Sequence, residues 1–230
     1  MYTTPMVKAV LFDLDGTLAN TDPLHFQIWQ ALLSEHGIKV DSPFYDTHIS
    51  GRLNPDIVRD LLPQLSEQEG VFFSADKEAK FRQLAATKLQ RMDGLSDFLH
   101  HLEQQGYSVA LVTNAPRPNA EFMLETLALQ GTFQPVIIAD DLPRGKPDPL
   151  PYQTALDHLA LSPQEALVFE DSPTGVRAAV AAGIPTIGVT STHSHATLTK
   201  LGALFTISDF TDSRLRTYLT KDPENSYLSC

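Results

Sequence analysis

Short apolar runs rich in valine, isoleucine and leucine recur along the chain, and most are continuous rather than alternating. Continuous runs of this length are typical of strands that are covered on both faces in a parallel sheet. The runs are VKAVLF (7–12), YSVALVT (107–113), PVIIA (135–139), ALVFE (166–170), PTIGVT (185–190) and LFTIS (204–208). Helical patterns separate the later runs, around 95–105, 118–130, 150–160, 174–182 and 195–201. This alternation predicts right-handed βαβ units and an α/β fold with a doubly wound, Rossmann-like parallel sheet.

One segment interrupts the alternation. Between about Asp22 and Gln90 the sequence contains amphipathic helical stretches and no convincing strand. A segment of about 70 residues is too long for an ordinary connection between a strand and a helix. We therefore predict an all-helical cap domain at 21–90, inserted into an α/β core formed by 1–20 and 91–220, and a polar tail at 221–230.

Charge and cysteine content limit the classes of partner and of site. Lysine and arginine number 17 against 28 aspartate and glutamate residues, and the formal net charge is −11. A surface this acidic repels phosphate backbones and anionic membranes, so we expect neither nucleic acid nor a membrane as a partner. The single cysteine, Cys230, excludes an intrachain disulfide and a thiolate metal site. With no signal-like or membrane-length apolar run, we expect a cytoplasmic protein, either a monomer or a weak homodimer.

The first apolar run ends in two carboxylates, Asp13 and Asp15, which are separated by one leucine. Side chains two residues apart along a strand point to the same side, so both acids are expected to face one small volume. Two like charges this close repel each other unless a cation or a shared proton relieves them. The pair therefore indicates a metal site, a proton-transfer site, or both.

Polar residues also end or follow the next three predicted strands, and open α/β sheets bind ligands outside the carboxyl ends of their strands. These residues are Thr113, Asn114, Lys146, Glu170, Asp171 and Ser172. Taken singly, the acids could be helix N-caps and the lysine a solvated surface residue. Taken together they suit phosphoryl transfer, because carboxylates bind Mg²⁺ and a lysine with a hydroxyl can hold phosphate oxygens. One carboxylate could attack phosphorus while a neighbouring acid transfers the proton.

Four motifs resemble those of the haloacid dehalogenase (HAD) superfamily: DLDGT, a threonine that ends the second strand, GKPDP and FEDSPTGVRAAVAAG. The resemblance covers nearly the whole chain. The cap and the FEDS motif are similar to those of the β-phosphoglucomutase and sugar-phosphatase group. The resemblance implies an Mg²⁺-dependent phosphoric monoester hydrolase whose partner is a small phosphorylated metabolite.

The resemblance also implies a role for each matching acid. Asp13 would be the nucleophile and a ligand of Mg²⁺. Asp15 would be the general acid and base, and its backbone carbonyl would bind the metal. Glu170 and Asp171 would anchor Mg²⁺, with Asp171 preferred as the direct ligand. Because dehalogenases of the superfamily lack the second acid, the presence of Asp15 argues against hydrolysis of a carbon–halogen bond.

Substrate binding is assigned to residues of both predicted domains. In the core, Thr113, Asn114 and Lys146 would bind the phosphate. In the cap, the basic residues with which β-phosphoglucomutase grips a second phosphate match Ser50 and Asn54, within the stretch ISGRLNPD.

The loss of both basic groups favours hydrolysis of a monophosphate. Arg52, which stands between the two positions, and His25, which aligns with a cap-hinge histidine of the mutase, are the candidate substrate contacts of the cap.

Three functions remain open. The preferred one is a phosphatase that hydrolyses a sugar phosphate or phosphoglycolate through an aspartyl-phosphate intermediate. The second is a sugar-phosphate mutase, which shares that intermediate. The third is a non-catalytic protein that binds phosphorylated metabolites. It is disfavoured because binding alone requires neither a nucleophile nor a proton donor.

Overall fold

Six parallel strands form a single sheet in the computed structural model, which describes residues 6–219. In chain order the strands are β1 (Ala9–Phe12), β2 (Ser108–Thr113), β3 (Val136–Ile138), β4 (Ala166–Glu170), β5 (Thr186–Val189) and β6 (Thr206–Ile207). Their order across the sheet is β3-β2-β1-β4-β5-β6. The chain winds from β1 to one edge and then from β4 to the other, which confirms the predicted doubly wound α/β fold. The predicted tail at 221–230 lies outside the described residues.

The described helices fall into two groups along the chain. Before the second strand come α1 (Asp22–Ser34), α2 (Ser42–His48), α3 (Asn54–Leu61), α4 (Glu67–Ala85) and α5 (Leu95–Gln104). The others are α6 (Arg117–Thr126), α7 (Leu150–Leu159), α8 (Pro173–Ala181), α9 (His195–Lys200) and α10 (Arg214–Leu219). Helices α1 to α4 belong to a compact unit, Thr21–Leu89, which we call the helical unit. The described residues on either side of it form the α/β unit.

Both faces of the sheet are buried, which explains why the strand sequences are continuously apolar. Successive side chains of a strand point to opposite faces. Ala9 and Leu11 of β1 therefore pack on one side, in a cluster with residues of β2, β4, α7 and α8. Phe12 points to the other side, where it stacks on Phe169 with ring centroids 5.3 Å apart. The aromatic layer on that side is completed by Phe98, Phe133 and Phe210.

The helical unit has an apolar core of its own. Trp29, only 2% exposed, lies at its centre together with residues of α2 and α3. Side-chain caps begin two of the helices: Asp41 accepts a hydrogen bond from Phe44 N at α2, and Ser66 forms a capping box with Glu69 at α4. The structure thus confirms the prediction of an inserted all-helical segment.

Five of the six strands are shorter than the apolar runs that predicted them, and β4 coincides with its run. The difference is largest for β6, which keeps two of the five residues of LFTIS. This strand lies at the edge of the sheet and pairs only with β5, at Gly188 and Val189. Leu204 precedes the strand and is 54% exposed.

Within residues 6–219, the helices are all too short or too polar to span a lipid bilayer.

Candidate active site

The site lies at the carboxyl end of the two central strands. Strand β1 pairs with β2 on one side and with β4 on the other. The direction of winding reverses between β1 and β4, and open α/β sheets bind ligands at this reversal. Asp13 directly follows β1, and its backbone N–H donates to the carbonyl of Phe169 at 3.0 Å. Glu170, the last residue of β4, is therefore brought next to Asp13.

Lys146 connects the acids of the first and last motifs. Its ammonium nitrogen Nζ lies 2.6 Å from Asp13 Oδ1, 2.6 Å from Glu170 Oε1 and 2.7 Å from the Val112 carbonyl oxygen. Burial opposes the charge on Lys146, but the two carboxylates outweigh this effect and raise the pKa of the lysine above its usual value. Three acceptors for three ammonium protons hold the side chain in one position.

The loop that carries Lys146 is anchored to the end of β2. Asn114 donates from Nδ2 to the carbonyl of Lys146 at 2.9 Å and accepts at Oδ1 from the backbone N–H of Lys146 at 3.0 Å. The carboxamide of Asn114 is thus engaged in positioning this loop, and its predicted contact with phosphate stays a prediction. Thr113 is buried, and its hydroxyl oxygen accepts from the Ala115 N–H at 2.9 Å.

Glu170 is fully buried and accepts two hydrogen bonds on each carboxylate oxygen. Oε1 receives the Lys146 ammonium and the Tyr152 hydroxyl, the latter at 2.9 Å. Oε2 receives the backbone N–H of Ser172 at 3.3 Å and its hydroxyl at 3.1 Å. Burial and the nearby Glu170 charge raise the pKa of the Tyr152 phenol well above its usual value, so the hydroxyl stays protonated and donates. In this arrangement Glu170 supports Lys146 and has its oxygens occupied by protein donors.

Gly175, in the first turn of α8, packs tightly against the Glu170 carboxylate. A Cβ atom at this position would lie 1.7 Å from Glu170 Oε1, so any side chain would push the carboxylate off its donors. We expect Gly175→Ala to lower the free energy of unfolding by about 1–3 kcal/mol, the usual cost of overpacking a core. Urea denaturation measures the change. The control is Val180→Ala on the same helix, where the side chain is 39% exposed. Equal stability of the two variants would contradict the assigned packing.

Among residues 6–219, Asp171 receives a hydrogen bond on one carboxylate oxygen only, whereas Glu170 receives them on both. Its Oδ2 accepts a short hydrogen bond from the Thr192 hydroxyl. Its Oδ1 is buried and has no hydrogen-bond partner among the described residues. Gly16, at φ +80°, packs against the same carboxylate, and a Cβ atom there would lie 2.1 Å from Oδ2. Only glycine meets both requirements, the positive φ and the close approach.

The acids form a group that suits a divalent cation. Ligand oxygens of Asp13, Glu170 and Asp171 lie within 4.8 Å of one another. Burial, with repulsion from Glu170, raises the pKa of Asp13 to about 8, against the opposing effect of Lys146. Burial and the charge of Asp13 likewise raise the pKa of Asp171 well above its usual range. Three buried carboxylates lie close together, and one ammonium group contacts two of them. Asp171 Oδ1 has no hydrogen-bond partner in the described part of the chain and offers a free ligand atom. The residues present therefore fit a hard cation such as Mg²⁺.

Asp15 lies in the tight turn after β1, half-buried. Its backbone forms a bridge with Ala19, and the N–H of Gly16 donates to the Ala19 carbonyl at 2.8 Å. The Asp15 charge contributes to the raised pKa of Asp13, so the two acids are electrostatically coupled. That both carboxylates face one small volume stays a prediction.

The candidate residues of the helical unit are engaged in contacts within that unit. Arg52 forms an ion pair with Asp60 and donates from Nη1 to the carbonyl of His48 at 2.9 Å. His25 stacks on Phe81 with ring centroids 4.3 Å apart, and its Nδ1 lies 2.9 Å from Lys77 Nζ. The sequence interpretation placed both residues in substrate binding, which stays a prediction.

Sequence reasoning missed a buried polar cluster around Lys77. The Lys77 ammonium lies 2.8 Å from Glu78 Oε1, which also accepts from Asn54 Nδ2 at 2.5 Å. The sequence spacing could have indicated Lys77, because Phe73, Lys77 and Phe81 follow one another at intervals of four residues and so share one helix face. A lysine on an otherwise apolar stripe is unusual enough to mark a candidate functional residue.

The α/β unit also contains supporting residues that sequence reasoning missed, namely Tyr152, Ser191 and Thr192. Tyr152 is the third residue after the GKPDP motif and could have been found by its position in the first turn of α7. Ser191 and Thr192 carry no such signal, since they follow β5 and reach the site only because β5 pairs with β4.

Comparisons with known proteins agree with this geometry. The family model for haloacid dehalogenase-like hydrolases matches residues 10–189. Validoxylamine A 7'-phosphate phosphatase from Streptomyces hygroscopicus subsp. limoneus is 34% identical over 91% of this chain and 97% of that protein. A phosphorylated carbohydrates phosphatase from Thermotoga maritima is 31% identical, with coverage of 79% and 84%. The crystal structure of a HAD hydrolase of family IA, variant 3, from Entamoeba histolytica matches with a TM-score of 0.84 at 25% identity, covering 94% and 100%.

These findings confirm the predicted resemblance and the predicted enzyme class, a phosphoric monoester hydrolase. The matched residues include β1 from Val10 onward and β4 with their acids, the loop of Lys146 and the whole helical unit. The chain belongs to the haloacid dehalogenase-like hydrolases.

Proposed function

We propose that the protein is an Mg²⁺-dependent phosphatase that hydrolyses a small monophosphorylated metabolite through an aspartyl phosphate on Asp13. The observation that carries the proposal is the position of Lys146 Nζ, 2.6 Å from both Asp13 and Glu170. The lysine keeps positive charge beside the carboxylate that would attack phosphorus, where negative charge collects during transfer.

Two displacements at phosphorus complete the reaction. In the first, an oxygen of Asp13 forms a bond to phosphorus, the phosphorus–oxygen bond to the alcohol breaks, and Asp15 gives its proton to the leaving oxygen. In the second, Asp15 takes a proton from water, the water oxygen bonds to phosphorus, and the bond to Asp13 breaks. Inorganic phosphate is released and both acids return to their starting states.

Each remaining residue of the site is assigned a supporting role. Asp13, Asp171 and the backbone carbonyl of Asp15 would hold Mg²⁺, which when bound neutralises charge on the phosphate. Thr113 and Lys146 would hold the phosphate oxygens. Ordered donors of this kind need no reorganisation as the charge moves.

A sugar phosphate is the preferred substrate class. The two relatives described above are named as phosphatases of validoxylamine A 7'-phosphate and of phosphorylated carbohydrates. Two cations of the helical unit are already paired with carboxylates, Arg52 with Asp60 and Lys77 with Glu78. Such pairing favours hydroxyl-bearing monophosphates over bisphosphates, because a second phosphate would need unpaired positive charge. Arg52 and His25 are proposed to contact the part of the substrate beyond its phosphate.

The deciding experiment measures phosphate release from a panel of esters, with Mg²⁺ and with excess chelator. The panel includes hexose phosphates, phosphoglycolate, fructose 1,6-bisphosphate and β-glucose 1-phosphate. We expect Mg²⁺-dependent hydrolysis of one or more sugar monophosphates, with kcat/KM of about 10⁴ M⁻¹s⁻¹ or more for the best substrate, and no release in chelator.

Asp13→Asn protein purified in the same way is the control for a contaminating phosphatase. Conversion of β-glucose 1-phosphate to glucose 6-phosphate without phosphate release would establish the mutase instead. Binding of esters with neither reaction would establish the non-catalytic alternative.

A further inference from the structure

The loop that follows β5 reaches two of the acidic motifs, although no motif marks it in the sequence. Ser191 donates from its hydroxyl to the carbonyl of Gly16 at 2.5 Å. The Thr192 hydroxyl oxygen lies 3.1 Å from the Asp171 carbonyl oxygen and makes the short contact with Asp171 Oδ2. The loop is therefore bonded both to the turn after β1 and to the acid that follows β4.

The protons of these groups fix the direction of the Thr192 hydrogen bond. A threonine hydroxyl has one proton to donate and lone pairs with which to accept. When Asp171 is ionised, as a metal ligand is, its carboxylate can only accept, so the Thr192 hydroxyl donates its proton to Oδ2. The ring nitrogen Nδ1 of His193 lies 2.9 Å from the same hydroxyl oxygen.

This hydrogen bond decides which oxygen of Asp171 is available. Oδ2 is enclosed between the Cα of Gly16 and the hydroxyl of Thr192. Oδ1 is buried and has no partner among the described residues. A carboxylate held by one oxygen cannot rotate without breaking that bond, so the free oxygen keeps a constant direction. Hydrogen-bond partners of metal ligands act in this way, and their removal typically costs about 10- to 100-fold in metal affinity.

We propose that Thr192 is a positioning residue for the metal site: its hydroxyl holds Asp171 by Oδ2 and so presents Oδ1 as the ligand of Mg²⁺. The inference rests on the Mg²⁺ site of the proposed function. It extends the active site to the loop after β5, where Thr192 acts through Asp171 and touches neither substrate nor metal.

Calorimetric titration of the purified protein with Mg²⁺ alone tests the proposal without reference to turnover. Thr192→Val removes the hydroxyl with little change of shape, and Thr192→Ala removes it with a smaller side chain. Thr192→Ser keeps the hydroxyl. Thr190→Val is the matched control, because the Thr190 hydroxyl donates to the Ile207 carbonyl at 3.1 Å, on the side of β6.

We expect Thr192→Val and Thr192→Ala to bind Mg²⁺ about 10-fold or more weakly than wild type. Thr192→Ser and Thr190→Val should stay within about twofold of wild type, since the hydroxyl on Asp171 remains in both. In activity assays the hydroxyl-free variants should need correspondingly more Mg²⁺ for half-maximal rate, while kcat at saturating Mg²⁺ changes much less.

Three results overturn the proposal: unchanged Mg²⁺ affinity in the hydroxyl-free variants, an equal loss in Thr190→Val, or an equal loss in Thr192→Ser. Two hydroxyl-free variants keep the test valid if one of them does not fold. If the wild-type protein binds no Mg²⁺, the metal site of the proposed function is wrong as well. The wild-type titration therefore distinguishes that result from a failure of the Thr192 assignment alone.

Discussion

Replacement of Asp13 by asparagine should reduce phosphatase activity by about four orders of magnitude or more while the protein stays folded. The amide has nearly the same shape as the carboxylate, but it is a poor nucleophile and cannot form the acyl phosphate. The carbonyl oxygen of the introduced amide would still accept from the Lys146 ammonium, which in the wild type lies 2.6 Å from Asp13 Oδ1. The effect is therefore expected in kcat rather than in folding.

Initial rates and acid-quenched single turnovers measure this effect. With a ³²P-labelled ester, wild-type protein should carry label that hydroxylamine removes, and Asp13→Asn should carry none. Asp97→Asn is the control, since Asp97 is an exposed acid in the first turn of α5. Undiminished turnover in Asp13→Asn would remove Asp13 from the role of nucleophile and with it the proposed reaction.

Replacement of Lys146 by methionine should have the second-largest effect, on stability as well as on rate. Among the described residues, Lys146 supplies the only ammonium group in contact with the Asp13 and Glu170 carboxylates. The change removes this group and leaves the two acids buried together. Breaking a buried ion pair by removing one partner typically costs about 3–5 kcal/mol. Activity should fall by about 10³-fold or more, because the donor aimed at the developing negative charge is lost.

Urea denaturation in the presence of chelator measures the stability change without a contribution from bound metal. Lys8→Met is the matched control, because Lys8 forms an ion pair with Glu165 at 2.6 Å in the same unit, with a lysine side chain that is 56% exposed. An exposed pair contributes little, so the control should be nearly as stable as wild type. If the two variants lose the same stability, Lys146 does not hold the buried acids together.

The elements of the α/β unit could be predicted from local patterns. Each strand of the sheet lies within one of the apolar runs, and β4 coincides with ALVFE at 166–170. Residues that are buried on both faces of a sheet must be apolar at every position, and this makes the strands visible in a single sequence. Strand ends were less predictable, as β6 shows, because pairing at the edge of the sheet decides where a strand stops.

Local patterns could not predict which acid of the site has both oxygens occupied by protein hydrogen-bond donors. Glu170 and Asp171 are adjacent in the sequence and were both expected to bind the metal. In the structure Glu170 is hydrogen-bonded on both oxygens, through Tyr152 and Ser172 among others, whereas Asp171 Oδ1 has no partner within the described residues. Two adjacent residues at a strand end point in opposite directions, so they meet different neighbours.

The sequence by itself determined the fold class, the inserted helical segment and the set of acids with Lys146, because these depend on short-range periodicity and on residues at strand ends. Only the tertiary structure decided which groups support those acids. Thr192 lies 21 residues beyond Asp171, and Lys146 lies 133 residues beyond Asp13. Such pairs meet through the order of strands in the sheet and through side-chain rotamers, which are set by the packing of the whole unit rather than by any local stretch of the chain.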